Sequence, residues 1–250
     1  MTESAAPLAG RVALVTGSAK NIGRAMALEF ARQGAAVVVN ARRSVAEAEA
    51  VAAEITGAGG RASVAIADVS QPADVTALLA AAIDAFGRLD ILVNNASVRR
   101  EVDFAALDYQ EWRDILGGTL DSAYLCCHAA LPHLIASGQG AIVNIGGLSS
   151  FTGATRRAHV VAAKAGLVGL TRALAHDLGP HNITVNCVAP GLISTVRAGH
   201  EPAHHAVHST LVGRRGRPEE VASLVVYLCG PQARYITGQT MHANGGAFIP

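Results

Sequence analysis

The stretch RVALVTGSAKNIGRA, residues 11–25, joins a short apolar run to a glycine-bearing turn and the start of a helical pattern. A turn between a strand and a helix leaves free backbone N–H groups and the positive helix end where a phosphate can bind. Gly17 permits the tight turn, and Gly23 permits close packing of helix and strand. Asn21 stands where glycine is more usual, and asparagine tolerates left-handed backbone angles better than most residues. The spacing is not GxGxxG, but its context predicts nucleotide binding.

The rest of the chain repeats this alternation of apolar runs and helical segments. Strands are predicted at 11–17, 35–41, 61–69, 89–96, 140–146, 183–189 and 237–243, and helices at 22–34, 45–59, 72–87, 109–136, 158–178 and 218–228. Continuous apolar strands separated by helices are typical of a parallel sheet covered on both faces. We therefore predict a single α/β domain over residues 1–250, with a doubly wound, seven-stranded parallel sheet. Residues 192–216 lack clear periodicity, which is typical of a functional lid.

The composition argues against several classes of function. The chain has 250 residues, a formal net charge of +1 and 50% hydrophobic residues. A charge this small gives no general attraction to nucleic acid or to anionic membranes. The sequence shows neither a signal peptide nor a run of about 18 uncharged apolar residues. Its four cysteines lack metal-ligand spacing. We expect a cytoplasmic protein that binds a small molecule, without a nucleic-acid or membrane partner.

Further motifs accompany the first turn: NNAS (94–97), IVNIG (142–146), Lys164 and NCVAPG (186–191). In combination they resemble the short-chain dehydrogenase/reductase family over essentially the whole chain. The resemblance implies a Rossmann fold, a nicotinamide cofactor and a homotetramer or homodimer. It also implies a set of cofactor-binding positions: Gly17, Lys20, Asn21, Ile22, Gly23, Arg42, Asp68, Val69, Asn94, Ala96, Lys164, Pro190, Gly191 and Ile193.

The residues after the second strand favour NADP(H) over NAD(H). The strand is expected to end at Asn40, where NAD-preferring family members carry an acidic residue for the ribose hydroxyls, and no carboxylate follows it. Arg42 and Arg43 follow instead, and Lys20 lies in the first turn. A 2′-phosphate requires such cations, whereas an acidic residue would repel it. The alternative is that these arginines are simply solvated charges.

The catalytic positions depart from the family pattern. In the family, tyrosine supplies the proton, lysine lowers the pKa of that tyrosine and holds the nicotinamide ribose, serine positions the carbonyl oxygen, and asparagine holds a water relay. Here Thr119, Gly147 and Val160 stand at the asparagine, serine and tyrosine positions, and only Lys164 matches. General acid–base catalysis typically contributes about 10²–10⁴-fold, and valine cannot donate a proton. We expect another proton donor or a different chemistry.

Lys164, Ser149 and His159 are the candidate catalytic residues. Ser149 follows the glycine pair, so a loop shift could bring its hydroxyl to the vacated position, although it could equally be an ordinary loop residue. His159 precedes Val160 by about 100° around the helix, so it replaces the tyrosine only if the helix starts late. Histidine is a competent acid near neutral pH, but a buried structural role is equally compatible with this position.

Two arginine pairs are expected to border the substrate cleft. Arg99 and Arg100 follow NNAS, and Arg156 and Arg157 precede the helix of Lys164. Guanidinium groups bind carboxylates and phosphates through two parallel hydrogen bonds, so an anionic substrate fits this arrangement. We name Arg99, Arg100 and Arg157 as substrate-binding candidates, with plain surface charge as the alternative.

Histidines in the expected lid offer a possible metal site: His200, His204, His205 and His208. Three of them are spaced by four residues and would share a helical face. No acidic or cysteine ligand beyond Glu201 accompanies them, so we predict no metal. Contact with an anionic substrate, or a solvated loop, fits these histidines better.

Two classes of function remain. The first is an atypical NADP(H)-dependent oxidoreductase acting on a small carbonyl, alcohol or imine substrate, anionic if the arginines bind it. The second is a non-redox enzyme such as a hydrolase or lyase, or a catalytically silent nucleotide-binding protein, on the same fold. The retained first turn and Lys164 favour the first class, because a hydrolase has no need of a lysine that contacts ribose. The missing serine and tyrosine favour the second class. We predict the oxidoreductase.

Overall fold

The computed structural model describes residues 6–196 and 209–250 and contains a seven-stranded sheet. The strands lie in the order β3-β2-β1-β4-β5-β6-β7, and neighbouring strands are parallel throughout. Their bounds are Val12–Val15 (β1), Ala36–Ala41 (β2), Arg61–Ile66 (β3), Ile91–Asn94 (β4), Ala141–Ile145 (β5), Thr184–Pro190 (β6) and Thr240–Ala243 (β7). The predicted doubly wound, Rossmann-type α/β fold is confirmed.

Helices cover both faces of the sheet. They are Asn21–Arg32 (α1), Val45–Gly57 (α2), Pro72–Phe86 (α3), Tyr109–Leu116 (α4), Ser122–Ala136 (α5), Ser149–Thr152 (α6), Ala158–Leu178 (α7) and Pro218–Cys229 (α8). The helix predicted at 109–136 is interrupted by a π-helical turn at Gly117–Asp121, which separates α4 from α5. The short helix α6 was not predicted. The bounds predicted for α7 are confirmed.

Successive residues of each central strand point into two different cores, which explains why the strands are continuously apolar. In β1, Ala13 and Val15 pack in the core that contains Met26 and Phe30 of α1. Val12 and Leu14 pack on the opposite face, in the core that contains residues of α3 and α5. Both faces of the sheet are therefore closed to solvent, and a ligand can approach only the strand ends.

The strand order reverses direction at β1, which pairs with β2 on one side and with β4 on the other. A crevice opens outside the carboxyl ends of the strands at such a point, and open α/β sheets bind their ligands there. The backbone N–H of Thr16 donates to the carbonyl of Val93 at 3.0 Å, so the first turn lies against the end of β4. The fold thus places the glycine-bearing first turn next to the NNAS motif (94–97).

Two further segments bear on the expectations from the sequence. Residues 158–181 are long and apolar enough to cross a membrane by length and composition, with a mean hydropathy of 1.2. This helix packs against β6 and α4 and buries Lys164, so its apolar character serves the domain core. In the expected lid, Ile193 pairs with Gly216, while residues 197–208 with the histidine cluster lie outside the described part of the chain.

Candidate active site

The first turn requires glycine at two positions. Gly17 has φ +62°, and a Cβ there would lie 3.1 Å from the Cα of Ala96. A Cβ on Gly23 would lie 2.3 Å from the carbonyl oxygen of Gly17, closer than real Cβ contacts allow. Asn21 has φ +52°, as expected for a residue in a glycine position. The turn and the start of α1 are therefore packed directly against the end of β4.

A buried polar network holds this turn in place. The Oδ1 atom of Asn40 accepts the N–H of Gly17 at 3.1 Å, and its Nδ2 donates to the carbonyls of Ala65 and Ala67. The Nδ2 of Asn95 donates to the carbonyl of Thr16 at 2.9 Å and to that of Gly17 at 3.0 Å. Each of these two asparagines therefore braces the backbone of the turn, and the sequence analysis assigned this role to neither.

The end of the strand predicted at 35–41 is confirmed at Ala41, whereas the expectation that places this end at Asn40 is wrong by one residue. β2 continues to Ala41, and Asn40 is almost completely buried with its amide engaged in the turn network. Its side chain is therefore committed to holding the turn, and the exposed residues that follow the strand begin at Arg42. A polar residue within the otherwise apolar stretch AVVVNA is the sequence signal that could have revealed this role.

The predicted cations lie on the outer side of the turn, each close to a carboxylate. The Nζ atom of Lys20 is 2.7 Å from Glu47, and the Nη1 atom of Arg42 is 3.6 Å from Asp68. Partial burial opposes ionisation of Asp68, but hydrogen bonds from Ser70 and the charge of Arg42 outweigh it and lower the pKa. Both cations are about half exposed, so they are accessible to a ligand in the crevice.

Lys164 is the central charged group of the site. Its side chain is only 6% exposed, and its Nζ donates to the carbonyl of Ile145 at the carboxyl end of β5. Burial, followed by the charge of Arg99, lowers the pKa of Lys164 to about 7; Cys187 opposes this shift and Arg157 adds to it. A lysine in this state is present in both protonation forms near neutral pH. It can therefore accept or donate a proton.

The positions of the missing serine and tyrosine differ in how closely neighbouring atoms surround them. Val160 is 2% exposed and packs in a small apolar cluster with Ile115 and Ala163. A Cβ on Gly147, in contrast, would meet no atom of the described residues within 4 Å. Thr119, at the asparagine position, is buried in the π-helical turn, and its hydroxyl lies 3.2 Å from that of Ser97.

The structure does not keep the four predicted arginines in the two pairs that are adjacent in the sequence. Arg100 forms an ion pair with Glu111 at 2.5 Å, and Arg156 forms one with Asp103 at 3.0 Å. Arg99 and Arg157 instead lie close enough to Lys164 to lower its pKa, and Arg157 is buried. Thus one arginine of each pair belongs to the surroundings of Lys164.

His159 has no exposed surface, and its Nε2 atom is 3.8 Å from Oε1 of Glu111. Burial is the largest cause that lowers the pKa of His159, so the neutral imidazole is favoured, and the charge of Glu111 opposes this. This is the buried alternative that the sequence left open. A catalytic role for His159 remains a prediction. Ser149, the other candidate acid, is the half-buried first residue of α6.

The remaining predicted cofactor positions lie at the carboxyl ends of strands. Asp68 and Val69 follow β3, Ala96 follows β4, and Gly191 and Ile193 follow β6. Asn94 closes β4, and its Nδ2 donates to Asn144 at 2.8 Å. The buried Oδ1 of Asn94 has no hydrogen-bond partner within the described residues. No group of metal-binding side chains occurs within residues 6–196 and 209–250.

This donor set fits a dinucleotide. The first turn presents the N-terminus of α1, the ends of β2 and β3 present cations and a carboxylate, and the crevice contains a buried unpartnered acceptor on Asn94. Lys164 lies at the end of β5, three strands away from β2 in the sheet order. Helix N-termini favour phosphate groups, and this spread of polar groups suits an extended ligand with a phosphate near its middle.

Comparisons with known proteins agree with this geometry. A family model described as enoyl-(acyl carrier protein) reductase matches residues 17–247. The chain is 38% identical to a 3-oxoacyl-[acyl-carrier-protein] reductase of Synechocystis sp., covering 97% of this chain and 98% of that protein. It is 39% identical to the (2S)-[(R)-hydroxy(phenyl)methyl]succinyl-CoA dehydrogenase subunit BbsD of Thauera aromatica, covering 96% and 97% respectively.

Solved structures show the same relationship. A dehydrogenase/reductase from Sinorhizobium meliloti 1021 matches with a TM-score of 0.92 and 33% identity, covering 98% of each chain. A short-chain dehydrogenase from Burkholderia cenocepacia in complex with NADP matches with a TM-score of 0.90 and 35% identity, covering 96% of this chain and 99% of the other. The chain belongs to the short-chain dehydrogenase/reductase family, and the prediction of an oxidoreductase is confirmed at the level of this family.

Proposed function

We propose that the protein is an NADP(H)-dependent oxidoreductase that reduces a small anionic carbonyl or imine compound, or catalyses the reverse reaction, with Lys164 as the proton donor. The observation that carries the proposal is the buried Lys164, which lies at the end of β5 with valine and glycine in place of the family's tyrosine and serine. Lys164 is thus the residue of the family pattern that remains to transfer the proton.

The choice of NADP(H) rests on charge at the end of β2. Arg42 and Lys20 offer half-exposed cations beside the first turn, and no carboxylate directly follows the strand. The structurally similar Burkholderia cenocepacia enzyme holds NADP. A 2′-phosphate would draw the two cations away from Glu47 and Asp68 and form charge-assisted hydrogen bonds with them.

The reaction requires a hydride and a proton. A bound nicotinamide would supply the hydride to the carbon atom of the substrate. The ammonium group of Lys164 would then give its proton to the substrate oxygen or nitrogen and remain as a neutral amine. Burial favours this neutral form, which is why the pKa of Lys164 is lowered to about 7. Lys164 would also hold the nicotinamide ribose, the role implied by the family resemblance.

Arg99 and Arg157 support an anionic substrate. Both guanidinium groups lower the pKa of Lys164, and Arg157 is buried. A substrate carboxylate would offset the repulsion that the two arginines exert on Lys164. The open space at Gly147 leaves room for substrate atoms at the position of the missing serine.

A second candidate is a dinucleotide-binding protein without catalysis. Val160 packs in the apolar cluster with Ile115 and Ala163, so no proton donor occupies the tyrosine position. This candidate retains the dinucleotide site and lacks the proton transfer. Binding without turnover would therefore favour it over the oxidoreductase.

The first experiment is a fluorescence titration of the purified protein with NADPH and NADH. We expect micromolar binding of NADPH and weaker binding of NADH. NADPH oxidation is then followed with a panel of 2-oxo and 3-oxo acids and their methyl esters, in the presence and absence of ammonia. Turnover of acids but not of esters would support the arginine assignment, and binding of neither dinucleotide would refute the proposed function.

Variants of two arginines separate their roles. Arg157→Met is expected to lower kcat/KM for the acids by about tenfold or more, because a charged hydrogen bond contributes about 1.5–3 kcal/mol. Arg100→Met is the matched control, since Arg100 already pairs with Glu111. Equal losses of kcat/KM in the two variants would contradict the assignment of Arg157, and not Arg100, to substrate binding.

We also propose, from the family resemblance, that the chain forms a homotetramer. Exposed apolar side chains on α5 support this assembly, since Tyr124 and Ile135 project from the surface of that helix. These two residues are about three helical turns apart and lie on the same side of α5, and exposed apolar side chains on one side of a helix are typical of a surface that another subunit covers.

A further inference from the structure

The chain that leaves β6 is tied to the start of α1. The Nδ2 atom of Asn21 donates to the carbonyl of Val196 at 3.1 Å, and the N–H of Val196 donates to Oδ1 of Asn21 at 2.9 Å. We call residues 191–196 the strap and this pair of hydrogen bonds the latch. The latch joins two residues that are 175 positions apart in the sequence. It uses only the backbone of Val196, whose side chain is 88% exposed.

The strap connects the end of β6 with the start of α1, which follows β1. β6 lies three places from β1 in the sheet, which corresponds to about 14 Å at a strand spacing of about 4.8 Å. Six residues of extended chain reach about 20 Å, so the strap is long enough to pass the carboxyl ends of β5 and β4. Its near end is fixed, because the N–H of Gly191 donates to Ala243 at 3.0 Å and that of Ser194 donates to Gly216 at 2.8 Å.

Asn21 has an unfavourable backbone conformation, and its side chain forms hydrogen bonds with Val196. At φ +52° a non-glycine residue is strained, and glycine would relieve that strain. The sequence alone explains how asparagine tolerates this position. The structure adds what the asparagine contributes there, which is both a donor and an acceptor for one distant peptide group.

We infer that Asn21 is a positioning residue that latches the strap across the crevice and thereby slows the release of a bound dinucleotide. The inference rests on the proposed function, because it takes a dinucleotide as the ligand of the first turn. A ligand that lies along the ends of β1, β4 and β5 is covered by the strap. It leaves only after the contact between Asn21 and Val196 has opened.

The test measures NADPH release by stopped-flow displacement from the wild type, Asn21→Gly and Val196→Ala. Glycine accepts the left-handed backbone, so Asn21→Gly removes the latch without straining the turn. We expect its release rate to rise about tenfold, with the association rate changed less than threefold, because two partly exposed hydrogen bonds are lost. Val196→Ala keeps the latching peptide group and is expected to release NADPH at the wild-type rate.

Hydrogen exchange of the dinucleotide-free protein gives a readout that does not depend on the ligand. The amide of Val196 is expected to exchange faster in Asn21→Gly, with thermal unfolding close to that of the wild type. Faster exchange with an unchanged NADPH release rate would overturn the inference and leave the proposed function intact. Failure of the wild type to bind either dinucleotide would overturn both.

Discussion

Replacing Lys164 with methionine tests the buried amine by its effect on stability. In the folded chain the pKa of Lys164 is lowered from 10.5 to about 7, first of all by burial. At about 1.36 kcal/mol for each pH unit, the difference corresponds to a penalty of about 5 kcal/mol when the ammonium form is buried. The unfolded chain binds this proton more tightly. The penalty is therefore complete below pH 7 and disappears as the pH rises towards 10.5.

The change between two pH values isolates this effect. For a pKa of 10.5 in the unfolded chain and about 7 in the folded chain, the penalty is about 2 kcal/mol at pH 9 and about 5 kcal/mol at pH 6. Lys164→Met removes it and loses the hydrogen bond to Ile145, which is a nearly constant offset. The stability of the variant relative to wild type should therefore increase by about 3 kcal/mol from pH 9 to pH 6.

Urea unfolding at the two pH values measures this difference. The chain contains two lysines, Lys20 and Lys164, so Lys20→Met is a natural control with an exposed amine. The same composition allows a direct titration, because ¹³C-labelled lysine gives two side-chain signals. A signal that titrates near 7 belongs to Lys164 if it is absent from Lys164→Met. If the Lys164 signal titrates near 10.5, or if the stability difference does not change with pH, the amine is not buried as described.

Two further predictions concern the first turn and the vacated catalytic positions. Gly23→Ala places a Cβ about 2.3 Å from the carbonyl oxygen of Gly17. Urea unfolding should therefore show a loss of about 2–3 kcal/mol in stability, and NADPH titration should show no binding. Gly57→Ala is the control, since its Cβ meets no neighbouring atom; it should retain NADPH binding, and equal effects of the two variants would contradict this packing. The double variant Gly147→Ser, Val160→Tyr restores the serine and the proton-donating tyrosine of the family pattern. It should raise the rate of NADPH-dependent reduction of neutral ketones about 100-fold. No gain would mean that the cleft differs from the family's in more than these two residues.

The secondary structure followed from the sequence where one pattern dominated. Helix α7 begins and ends at the predicted residues, because its apolar spacing is continuous from Ala158 to Leu178. The π-helical turn at Gly117–Asp121 was missed, since one extra residue in a turn leaves the helical pattern of the flanking segments almost unchanged. The four residues of α6 are too few to show a helical period.

The sequence predicted the roles of the glycines in the site, but it predicted the partners of the charged side chains much less well. The requirement for Gly17 and Gly23 follows from local geometry, which the strand–turn–helix pattern already indicates. The division of the arginines depends on partners from other elements. Glu111 on α4 pairs with Arg100, and no spacing within the sequence relates α4 to the loop after β4. Asn95 was overlooked for a similar reason, because its partners lie at the end of β1.

The retention of Lys164 beside Val160 is the strongest indication of how the site works. A methionine would fill similar space without the penalty of about 5 kcal/mol that the buried ammonium imposes near pH 6. Arg99 and Arg157 add to that penalty, because like charges repel. An anion bound among the three cations would reverse this repulsion and raise the pKa of Lys164. Substrate binding would thereby protonate the amine and supply the proton that the family's tyrosine otherwise provides.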